Sequence, residues 1–361
     1  PEWKGSRVQQ YRPLGATGIE MSDISFGGAA IGSPEVVARA VERGINYFDT
    51  SPDYSRTGSE QVIGQALRPH RKKVFIASKF CSAEGHLPKD TPVPTIIASV
   101  EASLRRLQTD YLDVAIIHEC NDLDRLMAPT FHEAFDRLKE QGKVRFLGVS
   151  SHTPNLERVM RHAVDSGRFQ MLLVAYNFKN WPDLSNIFRD AKSRGIGVVA
   201  MKTLKGARAT VLKDFAGGKQ AFSQAAFKWV LSNPDVSGLV VSIQDSEQID
   251  EYLYASGQPP TVADVALLEE YDRRIAHEYC RPGCGQCLDS CPNGVPVDDV
   301  FRFAMYHEDY GWPRHAREHY ARLPVDRNSS RCAACPAPCE AACPFQLTIR
   351  QALVRFDRLL G

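Results

Sequence analysis

Residues 45–67 read Ile-Asn-Tyr-Phe-Asp-Thr-Ser-Pro-Asp-Tyr-Ser-Arg-Thr-Gly-Ser-Glu-Gln-Val-Ile-Gly-Gln-Ala-Leu. The first five residues form a short, β-rich apolar run that ends on Asp49. A polar turn carrying Tyr54 follows, and residues 60–67 then take up a helical pattern. The same unit recurs along the chain. Strands are expected at 24–26, 45–49, 73–79, 112–118, 144–150, 170–177, 197–202 and 238–242, after an opening hairpin at 11–21. Helical patterns lie between them at 34–43, 60–67, 96–107, 131–141, 156–165, 184–193 and 222–231, with 247–254 closing the series. Eight strand-plus-helix units in about 250 residues predict a closed (β/α)₈ TIM barrel. An open doubly wound sheet would tend to show a glycine fingerprint after its first strand, and none is present.

Length and composition bound the rest. A chain of 361 residues exceeds one ordinary small domain. A hydrophobic content of 43% with 24% charged residues is that of a globular protein. The net charge of +1 gives no reason to expect nucleic acid or an anionic membrane as partner. No apolar run is long enough for a membrane span. The organisation expected is a barrel over 1–260, a connecting helix over 261–279 and a small domain over 280–361.

Of ten cysteines, only Cys81 and Cys120 precede residue 280. The others form two runs, Cys280-x₃-Cys284-x₂-Cys287-x₃-Cys291-Pro and Cys332-x₂-Cys335-x₃-Cys339-x₃-Cys343-Pro. Each run continues into an apolar stretch, and helix-like segments at 297–306 and 312–323 separate the halves. Disulfides need no such crowding, and zinc ribbons favour separated Cys-x₂-Cys knuckles. Doubled runs of four closed by proline predict a ferredoxin-like domain with two 4Fe–4S clusters. In the bacterial pattern the fourth cysteine of each run serves the other cluster. Cys280, Cys284, Cys287 and Cys343 would then hold one cluster, and Cys332, Cys335, Cys339 and Cys291 the second. Both runs carry one inserted residue relative to the strict spacing. Cys81 reads as a packing residue and Cys120 as a neighbour of the pocket.

Barrel enzymes place their chemistry at the C-terminal ends of strands. Asp49 ends the second strand, Lys79 the third and His118 the fourth, while Tyr54 sits in the loop above the same opening. A lysine beside a phenol favours the phenolate, an acid keeps the lysine charged, and a histidine can orient the proton. These four are the candidate catalytic residues.

In these residues the chain resembles the aldo-keto reductase superfamily, in the branch with a C-terminal ferredoxin-type extension. The resemblance includes Tyr11-Arg12-Pro13-Leu14-Gly15, Ile45-Asn46-Tyr47-Phe48-Asp49-Thr50, Ser103-Leu104-Arg105-Arg106-Leu107 and Gly142-Lys143-Val144-Arg145. It implies an oxidoreductase that interconverts a small carbonyl and an alcohol, with the family tetrad on Asp49, Tyr54, Lys79 and His118. It also implies an NAD(P) cofactor against Ser150, Ser151, Met201, Lys202, Leu204 and Gln248. Several of the family's dinucleotide positions are altered here. Ser150 is followed by Ser151 and His152 instead of asparagine, Leu173 stands for a glutamine, and Met201 for an aromatic residue. No arginine occurs in 242–252 to take a 2′-phosphate; Lys202, Lys205 and Arg208 could compensate, though solvated loop charges are the commoner fate of such residues.

Three functional readings remain open on the sequence. The tetrad and clusters could form one redox enzyme that exchanges electrons with a partner protein. The chain could instead be an electron-transfer protein whose barrel docks partners, or an enzyme whose clusters are structural. Labile clusters point to a reducing cytoplasm or to export in an already folded, loaded state. His315 and His319, four apart, and Gly217-Gly218-Lys219 read as packing and loop residues.

Overall fold

The computed structural model describes residues 2–152, 154–179, 183–204, 221–281 and 284–361. They divide into two compact units. One holds residues 2–178, Asp183–Leu204 and 221–265; the other holds Lys179 with Ala266–Gly361.

The first unit is a closed barrel of eight parallel strands: β1 Ile24–Ile31, β2 Tyr47–Asp49, β3 Phe75–Lys79, β4 Leu112–Ile117, β5 Val144–Ser151, β6 Met171–Ala175, β7 Gly197–Met201 and β8 Gly238–Ile243. β8 closes onto β1 with Val240 opposite Ser25. Side chains alternate between two cores because strand residues point to opposite faces. Val114 and Ile116 of β4 join Ala77, Leu173 and Val199 inside the barrel. Ala115 and Ile117 turn outward and pack with Ile63, Val100 and Leu104 of the surrounding helices. The interior is therefore a packed core.

An antiparallel hairpin, Tyr11–Pro13 with Glu20–Ser22, brings Leu14, Ile19 and Met21 into this inner core, all fully buried. Its turn presses on the start of β7. Ala16 N donates to the Gly195 carbonyl at 2.7 Å, and a Cβ on Gly15 (φ +55°) would stand 2.2 Å from the same oxygen. Only glycine fits there.

Polar locks hold helices to the barrel. Glu60, on helix Gly58–Leu67, is fully buried. It accepts from Ser78 Oγ of β3 at 2.7 Å and from Arg106 Nε of helix Val93–Leu107 at 2.6 Å. A buried carboxylate is tolerated when its oxygens are occupied in this way.

The second unit, among the described residues, is helical and has no β-strand. Helices Val297–Glu308 and Ile349–Leu360 each open six residues after the last cysteine of a run (291 to 297, 343 to 349). Their buried faces, Val297, Val300, Phe303, Ala304 and Ile349, Leu353, Phe356, Leu360, meet in one apolar core. The repeat in the sequence is thus a repeat of cysteine loop plus amphipathic helix.

Candidate functional site

The barrel rim gathers the four candidate groups from three strands. Asp49 is the last residue of β2 and Lys79 the last of β3, and both are almost fully buried. Asp49 is level with Ala77, so Lys79, two residues further along β3, leaves the same face of the wall. Lys79 Nζ donates to Asp49 Oδ1 and to the Thr50 carbonyl, each at 2.7 Å. Burial pushes the Asp49 carboxyl above its ordinary range and Lys79 opposes that rise. Its Oδ2 is buried with no hydrogen-bond partner among the described residues.

Tyr54 stands in the turn after β2. Lys79 Nζ lies 4.7 Å from its ring centroid, and the His118 ring meets it edge-on at 5.9 Å. The turn is pinned from below: Thr50 Oγ1 bonds Ser59 Oγ at 2.7 Å, and Ser59 Oγ donates to the Gly28 carbonyl at 2.8 Å. Ser55, Arg56 and Thr57 run in the left-handed region (φ 51°, 49° and 75°), and Glu119 and Lys202 share that conformation at the ends of other strands. Of eight such non-glycine residues among those described, five lie on this rim. Backbone strain concentrates where a rigid scaffold aims side chains.

His118, just past β4, is buried. Burial first, then the neighbouring His86 and Lys79, holds its imidazole well below the ordinary histidine range. It is therefore neutral near pH 7 and suited to accept or share a proton.

The structure adds neighbours that spacing in the sequence did not reveal. A hairpin of Cys81–Ser82 with Gly85–His86 follows β3. It sets Cys81 Sγ 3.1 Å from His118 Nδ1, and the His86 and His118 rings 4.3 Å apart. Asp53 lies 3.8 Å from His118 Nδ1 and 3.7 Å from His86 Nε2. Glu119 faces His86 at 3.4 Å and His152 at 3.5 Å. Two-residue strands leave almost no periodic signal, so Cys81 read as packing alone. Burial raises its thiol well above the ordinary value.

The residues expected against a dinucleotide are mixed. Ser150 Oγ accepts from the Glu119 amide at 2.9 Å, and Ser151 is fully buried. Met201 and Lys202 are half-buried at the end of β7, with Leu204 packed against the outer core. Asn177 Nδ2 holds the Lys202 carbonyl at 3.0 Å. Gln248 Oε1 accepts from the Gln244 amide at 2.8 Å, bracing its own loop. Lys205, Arg208 and 217–219 lie outside the described residues.

In the second unit none of the eight cysteines is joined in a disulfide. Cys280, Cys284, Cys287 and Cys343 line one hollow, walled by Val297, Phe345, Leu347 and Ile349. Arg281 stacks on the Phe345 ring at 3.8 Å beside it. After burial, Cys291, Cys335 and Cys339 are the largest influences on the Cys332 thiol. Burial, followed by the sulfurs around them, pushes Cys287 up to about 12 and Cys332 to about 11. Such thiols become thiolates only when a cation replaces the proton. His315 and His319 stack at 4.4 Å, with Tyr306 against them, in a packing arrangement.

The sequence model described as "Aldo/keto reductase family" matches residues 24–222. The chain is 28% identical over 285 residues to L-galactose dehydrogenase of Arabidopsis thaliana, covering 68% of this chain and 88% of that protein. It is 38% identical over 114 residues to methylglyoxal reductase of Escherichia coli, a stretch of 31% of this chain and 36% of that one. A solved aldo-keto reductase of Bacillus halodurans, in its holo form, superposes with a TM-score of 0.60 at 22% identity, over 73% of this chain and 96% of that chain.

Proposed function

The chain belongs to the aldo/keto reductase family, and we propose that it interconverts a small carbonyl and an alcohol, with Tyr54 as the proton-transferring acid and two 4Fe–4S clusters in its second unit. The observation that carries the first part is the Asp49–Lys79 pair at 2.7 Å beneath the Tyr54 ring and beside His118. Asp49 and the Thr50 carbonyl fix the ammonium, and its charge favours the phenolate. Tyr54 gives its proton to a carbonyl oxygen as that oxygen gains charge, and recovers it in the reverse direction. Neutral His118 orients the same oxygen. The names of the two relatives, a dehydrogenase and a reductase, support this class of reaction in both directions.

Met201 and Leu204 offer apolar surface and Ser150 a hydroxyl, which suits a flat ring bearing a carboxamide; Ser151, Lys202 and Gln248 would complete that contact. A nicotinamide coenzyme would supply the hydride when bound. A second reading, an electron-transfer protein whose barrel performs no hydride transfer, is favoured by one observation. Gln248 spends its side-chain oxygen within its own loop, and Leu173 replaces a polar group.

The cluster assignment rests on the convergence of Cys343 with Cys280, Cys284 and Cys287. Two runs of four cysteines, each closed by a proline, favour a multinuclear cluster over single zinc sites, and such a cluster would supply one-electron transfer. A redox partner protein would be its natural counterpart.

The test is NAD(P)H oxidation by anaerobically prepared protein with a panel of aldehydes and ketones. Tyr54→Phe should lower kcat about 10²–10⁴-fold. Failure to bind either coenzyme by calorimetry would decide for the second reading.

A further inference from the structure

We propose that Asp53, Cys81, His86 and His118 form a binding site for a divalent transition-metal ion of the zinc class at the barrel rim. The proposal does not depend on hydride chemistry or on the C-terminal cysteines. Each of the four residues offers one ligand atom, and all four atoms lie within 4.8 Å of one another. Cys81 Sγ is 3.1 Å from His118 Nδ1, His118 Nδ1 is 3.8 Å from Asp53 Oδ1, and His86 Nε2 is 3.7 Å from Asp53 Oδ2. A tetrahedron with bonds of about 2.0–2.3 Å has edges of about 3.3–3.8 Å. The donors therefore stand near the separations one ion requires.

Their chemistry selects the ion. A sulfur, two imidazoles and one carboxylate suit zinc and its neighbours, whereas calcium and magnesium demand oxygen. The scaffold explains the convergence. Cys81 and His86 are directly opposed in their antiparallel hairpin, so both side chains leave it on the same face. Asp53 and His118 come from the turns after β2 and β4, on either side of β3. Glu119 Oε2 lies 3.4 Å from the same His86 Nε2, so this carboxylate is a further oxygen at the edge of the site.

Four protein donors complete the coordination shell, so the ion would organise the rim instead of activating water. Ligation through Nδ1 forces the hydrogen of His118 onto Nε2, where it can donate to a carbonyl oxygen. This last consequence, unlike the site itself, rests on the carbonyl reading.

The test uses full-length protein prepared anaerobically, with zinc as the probe. Calorimetric titration should give one equivalent bound, and zinc-edge absorption should show one sulfur at about 2.3 Å with nitrogen or oxygen at about 2.0–2.1 Å. His86→Ala and Cys81→Ser should each weaken binding by more than about 100-fold. Zinc surrounded by sulfur alone, bound equally by wild type and both variants, would overturn the proposal. So would no binding. Should a variant fail to fold, diffraction from zinc-soaked wild-type crystals on either side of the zinc edge decides the matter. An anomalous peak among Cys81, His86 and His118 is expected, and its absence counts against the site.

Discussion

The two candidate centres of this protein are assembled in opposite ways. In the second unit, Cys280, Cys284 and Cys287 come from one short loop, and Cys343, which lines the same hollow, comes from the other run. At the barrel rim, Asp49, Tyr54, Lys79 and His118 come from three strand ends and a turn, and none is a sequence neighbour of the next. The local centre has a thin apolar core behind it, made by two helices that start just after the cysteines. The convergent centre stands on a complete barrel with cores inside and outside its wall. A centre that is also part of its own scaffold should fail together with it. One mounted on an independent scaffold should lose function while the fold persists.

That contrast can be broken by experiment. The largest effect is expected from Cys343→Ser, which should remove one cluster, roughly half the iron and sulfide, and loosen the helices packed behind it. Metal analysis and proteolysis of anaerobic protein would read both. Retention of all the iron would show that Cys343 does not cross to the first run. Tyr54→Phe comes next, and its loss of turnover should far exceed any change in the barrel's melting temperature, because the ring that meets Lys79 and His118 is kept. A fall in melting temperature as large as that of a core substitution would erase the distinction between the centres.

The barrel's own dependence on polar contacts sharpens the comparison. Glu60→Ala should cost about 3 kcal/mol, the lower end of the range for breaking a buried pair, since Arg106 keeps some exposure. Urea denaturation would measure it.

The smallest effect concerns acid. Burial first, with the nearby Arg168 guanidinium, holds His132 below its ordinary value, while its bond to the Leu126 carbonyl works the other way. In the unfolded chain this imidazole takes a proton near pH 6.5, ahead of the folded state. Stability is thus full above that pH and is lost as pH falls from 6.5 toward the folded value. His132→Gln should flatten this part of the stability profile, measured by denaturation between pH 5 and 7.5.

Much of this was legible in the residues. The eight strands fall where β-rich runs alternate with helical patterns, because period-two and period-3.6 patterning are local properties of the chain. Candidate residues at strand ends followed from the barrel rule alone. The division of the cysteines into two runs was readable because it is a matter of spacing along the chain. The helical character of the second unit was less so: the final helix, Ile349–Leu360, hid behind the last cysteine run.

By itself the sequence determined the strand order, the eight-unit count and the pairing of thiols with a proline after each run, since all three are encoded in spacing. Only the tertiary structure decided that Cys81 and His86 meet His118 and Asp53, and that Gln248 turns back on its own loop. The reason is physical. Contacts across a barrel rim depend on register, on turns held in left-handed backbone and on hairpins a few residues long, and none of these leaves a periodic trace in the chain.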